Sequence, residues 1–302
     1  MLIKDVIKEY VFELQVQNYT PRTIKGYKNN TLRFAQYCTN EFQISNLEEI
    51  KALHIKQYIK YLLSIGRSAT YTNGILKNLR SFFKYCYKEE YIPTNIALKV
   101  DWQREPKVII KTFDNAEVKR MLDVYDTKTY LNARNKCIVA ILFDTGIRNI
   151  ELCNLSITDV RDTVIYIKGK GRKERVVPIS PMLKKIMIRY ERVRESYIKH
   201  NLVQDDSYFL SQNGRRLTGE VVERVIRKCG TQANVRQTIR CSPHTCRHYY
   251  AQAQLINGLD VYSLSRLLGH EDISITKRYL QGIQDNDIIE VSIKTSPLMN
   301  LK

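Results

Sequence analysis

Between Ser242 and Leu280 the chain carries four side chains suited to work on a phosphodiester: His244, Arg247, His270 and Tyr279. Arginine is a permanent cation whose planar fork matches phosphate oxygens. Histidine donates a hydrogen bond or moves a proton near neutral pH. Tyrosine becomes a covalent nucleophile when its phenol loses its proton on attack. His244, Arg247 and His248 stand three and four residues apart, which puts them on neighbouring parts of one helical surface.

The elements that must position these groups follow from the residues around them. Ser242 suits a helix cap and Pro243 its first turn, so a helix opens at His244 and stops at Gly258. Residues 260–268 form a second short helix closed by Gly269, with His270 in the turn. Asp272 caps a third, Ile273 to Leu280, which carries Tyr279.

Two earlier stretches offer further cations. In Gly146-Ile147-Arg148-Asn149-Ile150-Glu151-Leu152, Arg148 opens a helix and Glu151 is placed to brace its guanidinium. The plain alternative is a surface ion pair. Two strand-like runs, Val164–Lys168 and Arg175–Ile179, flank Gly169-Lys170-Gly171-Arg172-Lys173-Glu174, which reads as a hairpin. A turn lysine is ordinarily solvated, but Lys170 between two glycines can swing its ammonium into a groove. His248 is read equally well as a packing residue.

The ordered set His-x-x-Arg-His, Leu267-Leu268-Gly269-His270 and a tyrosine nine residues later resembles the C-terminal catalytic box of the tyrosine recombinases, the phage integrase and Xer proteins. The family's earlier arginine, in Gly-x-Arg-x-x-Glu-Leu, and its hairpin lysine have counterparts in Arg148 and Lys170. The resemblance extends over nearly the whole chain. It implies a mainly α fold with a small β-sheet in two domains: an N-terminal helical, SAM-like core-binding bundle, residues 1–105, and an α+β catalytic domain, residues 106–302. Residues 284–302 would form a tail exchanged between protomers, or docked on their own domain.

The roles the resemblance implies are specific. Tyr279 attacks the scissile phosphate and leaves a 3′-phosphotyrosyl bond and a free 5′-hydroxyl. Arg148 and Arg247 hold the non-bridging oxygens, His270 donates a further hydrogen bond, and His244 assists the proton of the nucleophile. Lys170 is the general acid for the departing 5′-oxygen, with Glu151 and His248 in support. Because the broken bond's energy is kept in a phosphoester, rejoining needs no ATP, cofactor or metal. In agreement, the sequence has neither a phosphate-binding Gly-x-x-x-x-Gly-Lys-Ser/Thr loop nor a carboxylate cluster for two metals. The implied partners are double-stranded DNA with paired inverted half-sites and further copies of the chain, a dimer per site and a tetramer in synapsis, or a heteromeric recombinase partner.

Charge and length are compatible with such a DNA clamp. The 302 residues suggest two domains, and the net charge of +18 points to a polyanion. There are 16 basic and 10 acidic residues through Glu105 and 33 and 21 beyond it, so both parts are basic. Seven scattered cysteines include no Cys-x-x-Cys pair, and no run reaches membrane-spanning length. A reducing cytoplasm is the expected setting, with no membrane partner.

The first part reads as four helices: residues 1–15, Pro21 to about Thr39, His54–Ser64 and Ala69–Glu89. Lys25, Lys28, Lys77, Arg80 and Lys84 are candidates for phosphate contacts, which position a protein without reading sequence. Lys99–Lys111 reads as a basic linker. In the second part, helices are expected at Ala116–Tyr125, Leu131–Phe143, Pro181–His200 and 214–230. The last would present Arg215, Arg216, Arg224 and Arg227 to DNA.

Two rival functions stand beside recombination. The three C-terminal helices can pass for a helix-turn-helix regulator without catalysis, which would need neither Lys170 nor Arg148. A type IB topoisomerase would relax DNA through the same kind of bond. The core-binding bundle begins almost at once, which suits a simple recombinase. Its expected use is integration, excision or resolution of a mobile element, or the resolution of chromosome or plasmid dimers.

Overall fold

A computed structural model describes residues 1–106, 110–169, 174–201, 203, 205–280 and 292–293. The chain divides into two compact units, Met1–Lys107 and Val108–Lys302. Both are built mainly of helices, and the described residues include one two-stranded sheet. The α-rich fold with a small sheet expected from the sequence is what the chain adopts.

The first unit consists of α1 (Ile3–Val16), α2 (Pro21–Phe42), α3 (Ala52–Ser64) and α4 (Ala69–Lys88). The Thr20 hydroxyl accepts from the Thr23 N–H at the start of α2, and Ser68 caps α4 through the Tyr71 N–H. Aromatic rings fill the space between the helices. Phe34 meets Tyr58 and Phe83 at centroid separations of 5.4 and 6.1 Å, and Phe82 meets Tyr10 at 5.4 Å. Each buried ring is worth about 1.5–3 kcal/mol in transfer from water, which is why a bundle this small can hold together.

The expected linker departs from a free connection. Its first half is strapped to α4, because the Asn73 amide pairs with the backbone of Gln103 in both directions, at 2.8 and 2.9 Å. Thr70 donates to Glu105, and the Arg80 guanidinium lies 4.2 Å from the Trp102 ring centroid. The weak periodicity of the segment hid this, since side chains of α4 supply the partners that secondary structure would otherwise provide.

The second unit opens with α5 (Asn115–Asp123), held by a reciprocal cap between Asp114 and Glu117. Next comes α6 (Tyr130–Thr145), in which every residue from Cys137 to Phe143 is buried. A helix apolar on all sides belongs at the centre, and α6 is the post around which this unit is built. The five-residue α7 (Asn149–Cys153) follows, then the antiparallel strands β1 (Val164–Lys168) and β2 (Glu174–Pro178). The remaining helices are α8 (Pro181–Asn201), α9 (Gly219–Gln232), α10 (Pro243–Ile256), α11 (Val261–Leu268) and α12 (Ile273–Leu280).

One expected helix is corrected. The stretch 214–230 begins as a turn at Gly214, with φ +68°, and a bridge from Arg216 back to Leu210. The helix starts only after Thr218, so Arg215 and Arg216 lie outside it. No helix among the described residues is long and apolar enough to cross a membrane. All seven cysteines are free, and six are buried.

Candidate active site

Among the described residues, Arg247 is the most enclosed cation of the second unit's C-terminal part, only 4% exposed. It sits one turn into α10, whose start is fixed by Pro243 and by Ser242 accepting from the Thr245 N–H. Its Nη1 donates to the Gly146 carbonyl at 2.7 Å and its Nη2 to the Leu268 carbonyl at 2.7 Å. Gly146 adopts φ +59°, and a Cβ there would overlap the Tyr250 ring. Only glycine lets this carbonyl meet the guanidinium. Burial, with Arg148 adding repulsion, lowers the Arg247 pKa to about 10, which leaves it charged at neutral pH.

Arg148 is the cap residue of α7 and is held by Glu151, three residues on. The Glu151 carboxylate accepts from the Arg148 N–H at 2.7 Å and from its Nη1 at 2.9 Å. Arg148 Nη2 donates to the Gly269 carbonyl at 2.9 Å. Arg148 and Arg247 therefore converge on successive carbonyls of the turn that ends α11. The Arg148 side chain is 41% exposed, so its unused donors face solvent where an anion can enter.

A third arginine joins them, and the motif reading passed it over. Arg175 grips Glu151 with both nitrogens of its fork, at 2.8 and 2.7 Å, and its Nε donates to the Leu267 carbonyl at 2.7 Å. Burial alone would push the Glu151 carboxyl up. Arg175 first, and then Arg148, outweigh that and hold it at about 2. A signal for Arg175 existed in the strand register. It pairs with Ile167 and shares a strand face with Val177, and both of those are buried, so Arg175 points inward.

His270 lies within reach of Arg247, 3.0 Å from its Nη2 to the ring Nε2. The ring's Nδ1 is 2.8 Å from the Thr276 hydroxyl, a second residue that sequence reasoning missed. Burial, with Arg247 next, lowers the His270 pKa to about 4, so the ring is neutral. Tyr279 is 3% exposed and packs in a small core with Leu264 and Leu268. Burial pushes its phenol up while Arg247 pulls it down, and the upward effect prevails.

His248 lies between His244 and Tyr279, edge-on to the first and tilted to the second, with centroids at 4.0 and 5.3 Å. Its Nδ1 is buried with no hydrogen-bond partner among the described residues, and burial, then His244, lowers its pKa to about 4. Partial burial and the cations Arg247, Arg240 and Arg278 lower that of His244. Arg148 with Glu151 and Arg247 with His270 thus form two bonded pairs that meet at the Leu268–Gly269 carbonyls, with Tyr279 beside His270 and the His244–His248 pair. Lys170 lies outside the described residues, as does the tail from 284 except for Ser292 and Ile293.

The candidate DNA contacts fare differently from one another. Lys25, Lys28, Lys77 and Lys84 are exposed in the first unit, and Arg215, Arg224 and Arg227 in the second. Arg80 is occupied within its own unit, donating to the Val100 carbonyl at 2.6 Å beneath Trp102. Arg216 Nε donates to the Ser207 hydroxyl at 2.7 Å.

Comparison with known proteins bears on the family and the fold. The model of the phage integrase family matches residues 111–284, and that of the phage integrase N-terminal SAM-like domain matches residues 7–92. The chain is 30% identical over 280 residues to tyrosine recombinase XerC of Thermodesulfovibrio yellowstonii, covering 91% of this chain and 90% of the relative. It is 28% identical over 282 residues to tyrosine recombinase XerD of Oceanobacillus iheyensis, covering 92% and 94%. Among solved structures, XerH bound to palindromic difH substrate superposes with a TM-score of 0.74 at 21% identity, covering 93% of this chain and 81% of that one. The Tn1549 transposon integrase in complex with circular intermediate DNA gives 0.71 at 18%, covering 96% and 98%. At those identities the structural likeness carries the fold.

Proposed function

We propose that this chain, which belongs to the phage integrase family of tyrosine recombinases, cuts and rejoins DNA with Tyr279 as its nucleophile. The observation that best supports the reading is the convergence of Arg148, Arg247 and His270 on one turn beside the buried phenol. In the cutting step the Tyr279 oxygen bonds to phosphorus as the bond to the 5′-oxygen breaks. The phenolic proton leaves by way of the neutral His244–His248 pair, and Lys170 protonates the departing oxygen. Arg148 and Arg247 take the charge that gathers on the non-bridging oxygens, a kind of stabilisation worth about 10²–10³ in rate per donor. Reversal of these steps with another strand's 5′-hydroxyl reseals the DNA and releases the tyrosine.

In the free chain, burial keeps the phenol protonated and covered, so an unoccupied enzyme carries a guarded nucleophile. The exposed lysines of the first unit and Arg215, Arg224 and Arg227 of the second supply phosphate contacts along the duplex. Lambda integrase, of the same fold, has been solved as a dimer bound to a COC′ core site and as a tetramer bound to a Holliday junction. For this chain we take the corresponding assembly, two copies on paired inverted half-sites and four in synapsis, with a second recombinase as an alternative to self-pairing. Seven free cysteines suit work in a reducing cytoplasm.

The test is Tyr279→Phe on a suicide substrate, resolved on a denaturing gel. The variant should bind its site and form no covalent adduct. An adduct that persists would assign the nucleophile to another of the twenty tyrosines.

A further inference from the structure

His270 has a polar neighbour on each ring nitrogen, and the two fix its proton. A guanidinium has donors only, so Arg247 Nη2, at 3.0 Å, must donate to Nε2. The neutral ring then carries its hydrogen on Nδ1 and donates it to the Thr276 hydroxyl at 2.8 Å. In this state Nε2 has no hydrogen to offer a phosphate. To donate from Nε2 while neutral, the ring must exchange tautomers, losing the Nδ1 proton to water and gaining one at Nε2, with no change of charge. The bare Nδ1 then needs a donor. Thr276 is fully buried, and its hydroxyl is the group already in place. Unlike a carbonyl or an ammonium, a hydroxyl can accept in one state and donate in the other by rotating about its C–O bond.

Resting on the reading of this site as a DNA-cleaving centre, we propose that Thr276 is a positioning residue whose hydroxyl serves both tautomers of His270, accepting from Nδ1–H in the free enzyme and donating to Nδ1 when Nε2–H turns to the scissile phosphate. Burial of the ring, with Arg247, Arg148 and Arg175 adding repulsion, disfavours the doubly protonated form that would otherwise offer Nε2–H. Thr276 also lies three residues before Tyr279 on α12, so the same hydrogen bond ties the nucleophile's helix to the histidine. Carriage by one buried residue links His270's donor state to the placement of Tyr279.

Two measurements on the full chain test this. The first needs no variant: long-range ¹H–¹⁵N correlation on histidine-labelled protein, with His270→Gln used for assignment. The free enzyme should show His270 with its hydrogen on Nδ1, and the complex of Tyr279→Phe with its DNA site should show it on Nε2. A free enzyme with hydrogen on Nε2, or a doubly protonated ring in the complex, overturns the proposal. The second compares Thr276→Val, of nearly the same shape but lacking the hydroxyl, with Thr276→Ser, which keeps it. At saturating DNA, Thr276→Val should slow single-turnover cleavage about 10–100-fold, by analogy with loss of the partner that orients a metal-bound histidine. Thr276→Ser should restore most of the rate, and in a His270→Ala background Thr276→Val should cost nothing more. Equal loss in both backgrounds, or no recovery with serine, refutes a role through His270. If wild type forms its adduct through Tyr279 while Thr276→Val cleaves at the wild-type rate, the inference fails and the reading of the site stands. If no Tyr279 adduct forms at all, the reading itself has failed.

Discussion

Replacing Glu151 by glutamine should reveal how much of the catalytic unit's stability rests on one carboxylate. Glutamine imitates the protonated acid: it keeps the shape, removes the charge, and turns an amide N–H₂ toward donors. The native carboxylate accepts four hydrogen bonds, two from Arg148 and two from Arg175. It is held at about 2 against an ordinary value of 4.5, which favours the folded state by about 3 kcal/mol near neutral pH. Breaking a buried ion pair from one side typically costs about 3–5 kcal/mol, the same range. The sign follows from the depressed pKa. The contribution is complete above about 4.5, shrinks as pH falls toward 2, and is gone below that. Urea unfolding followed by far-ultraviolet circular dichroism, for wild type and Glu151→Gln, should show a gap of about 3 kcal/mol near neutrality that has lost over half its size by about pH 3. Arg175→Gln in each background completes a double-mutant cycle, and its cost should fall sharply once Glu151 is already neutral. A gap under about 1 kcal/mol at neutral pH, or one that does not narrow between 4.5 and 2, would refute the claim that this carboxylate holds the arginines.

Three further outcomes are expected. Gly146→Ala should destabilise the second unit by at least about 1–3 kcal/mol, measured by thermal unfolding, since it forces a side chain into a left-handed backbone and against Tyr250; a neutral result would show that the Arg247 carbonyl contact tolerates displacement. Lys170→Ala should slow cleavage far more than binding, and a 5′-bridging phosphorothiolate, whose leaving group needs no proton, should restore the rate; lack of rescue on a substrate wild type cleaves rejects the general-acid role. DNA affinity should fall steeply between about 50 and 200 mM salt as counterions are released, and a flat dependence of Kd contradicts phosphate contacts by both units.

What the sequence disclosed was chiefly local. Ser242 with Pro243, and Gly269 at φ +66°, are end signals acting within one turn, and α10 begins and α11 ends where they indicate. The mainly α fold and the family were legible for the same reason, since caps, glycines and motif residues are read in order along the chain. Arg175 was not, because its meaning lies in partners 24 and 92 residues away, Glu151 and Leu267. Thr276 looked like any helical threonine until His270 was found against it. The start of α9 was misread because the basic residues before it continue a plausible helical pattern, while Gly214 turns the chain at φ +68° and Thr218 is still in extended backbone. The strapping of the linker's first half was not legible because Asn73 binds it with side-chain amide groups, which leave no periodicity in the segment itself.

Trp102 is the sole tryptophan of the chain, and it belongs to the first unit, half-exposed with the Arg80 guanidinium over its ring. Excitation at the red edge of the absorption band, where the twenty tyrosines are dark, therefore illuminates the first unit alone. The emission will report the melting or docking of that unit while the catalytic unit stays optically silent. The cation above the indole makes the probe chemically sensitive as well. If a duplex draws Arg80 toward a phosphate, the ring loses its neighbour and the emission shifts. A titration with DNA then becomes a measurement of one residue's choice between two partners, made without a label.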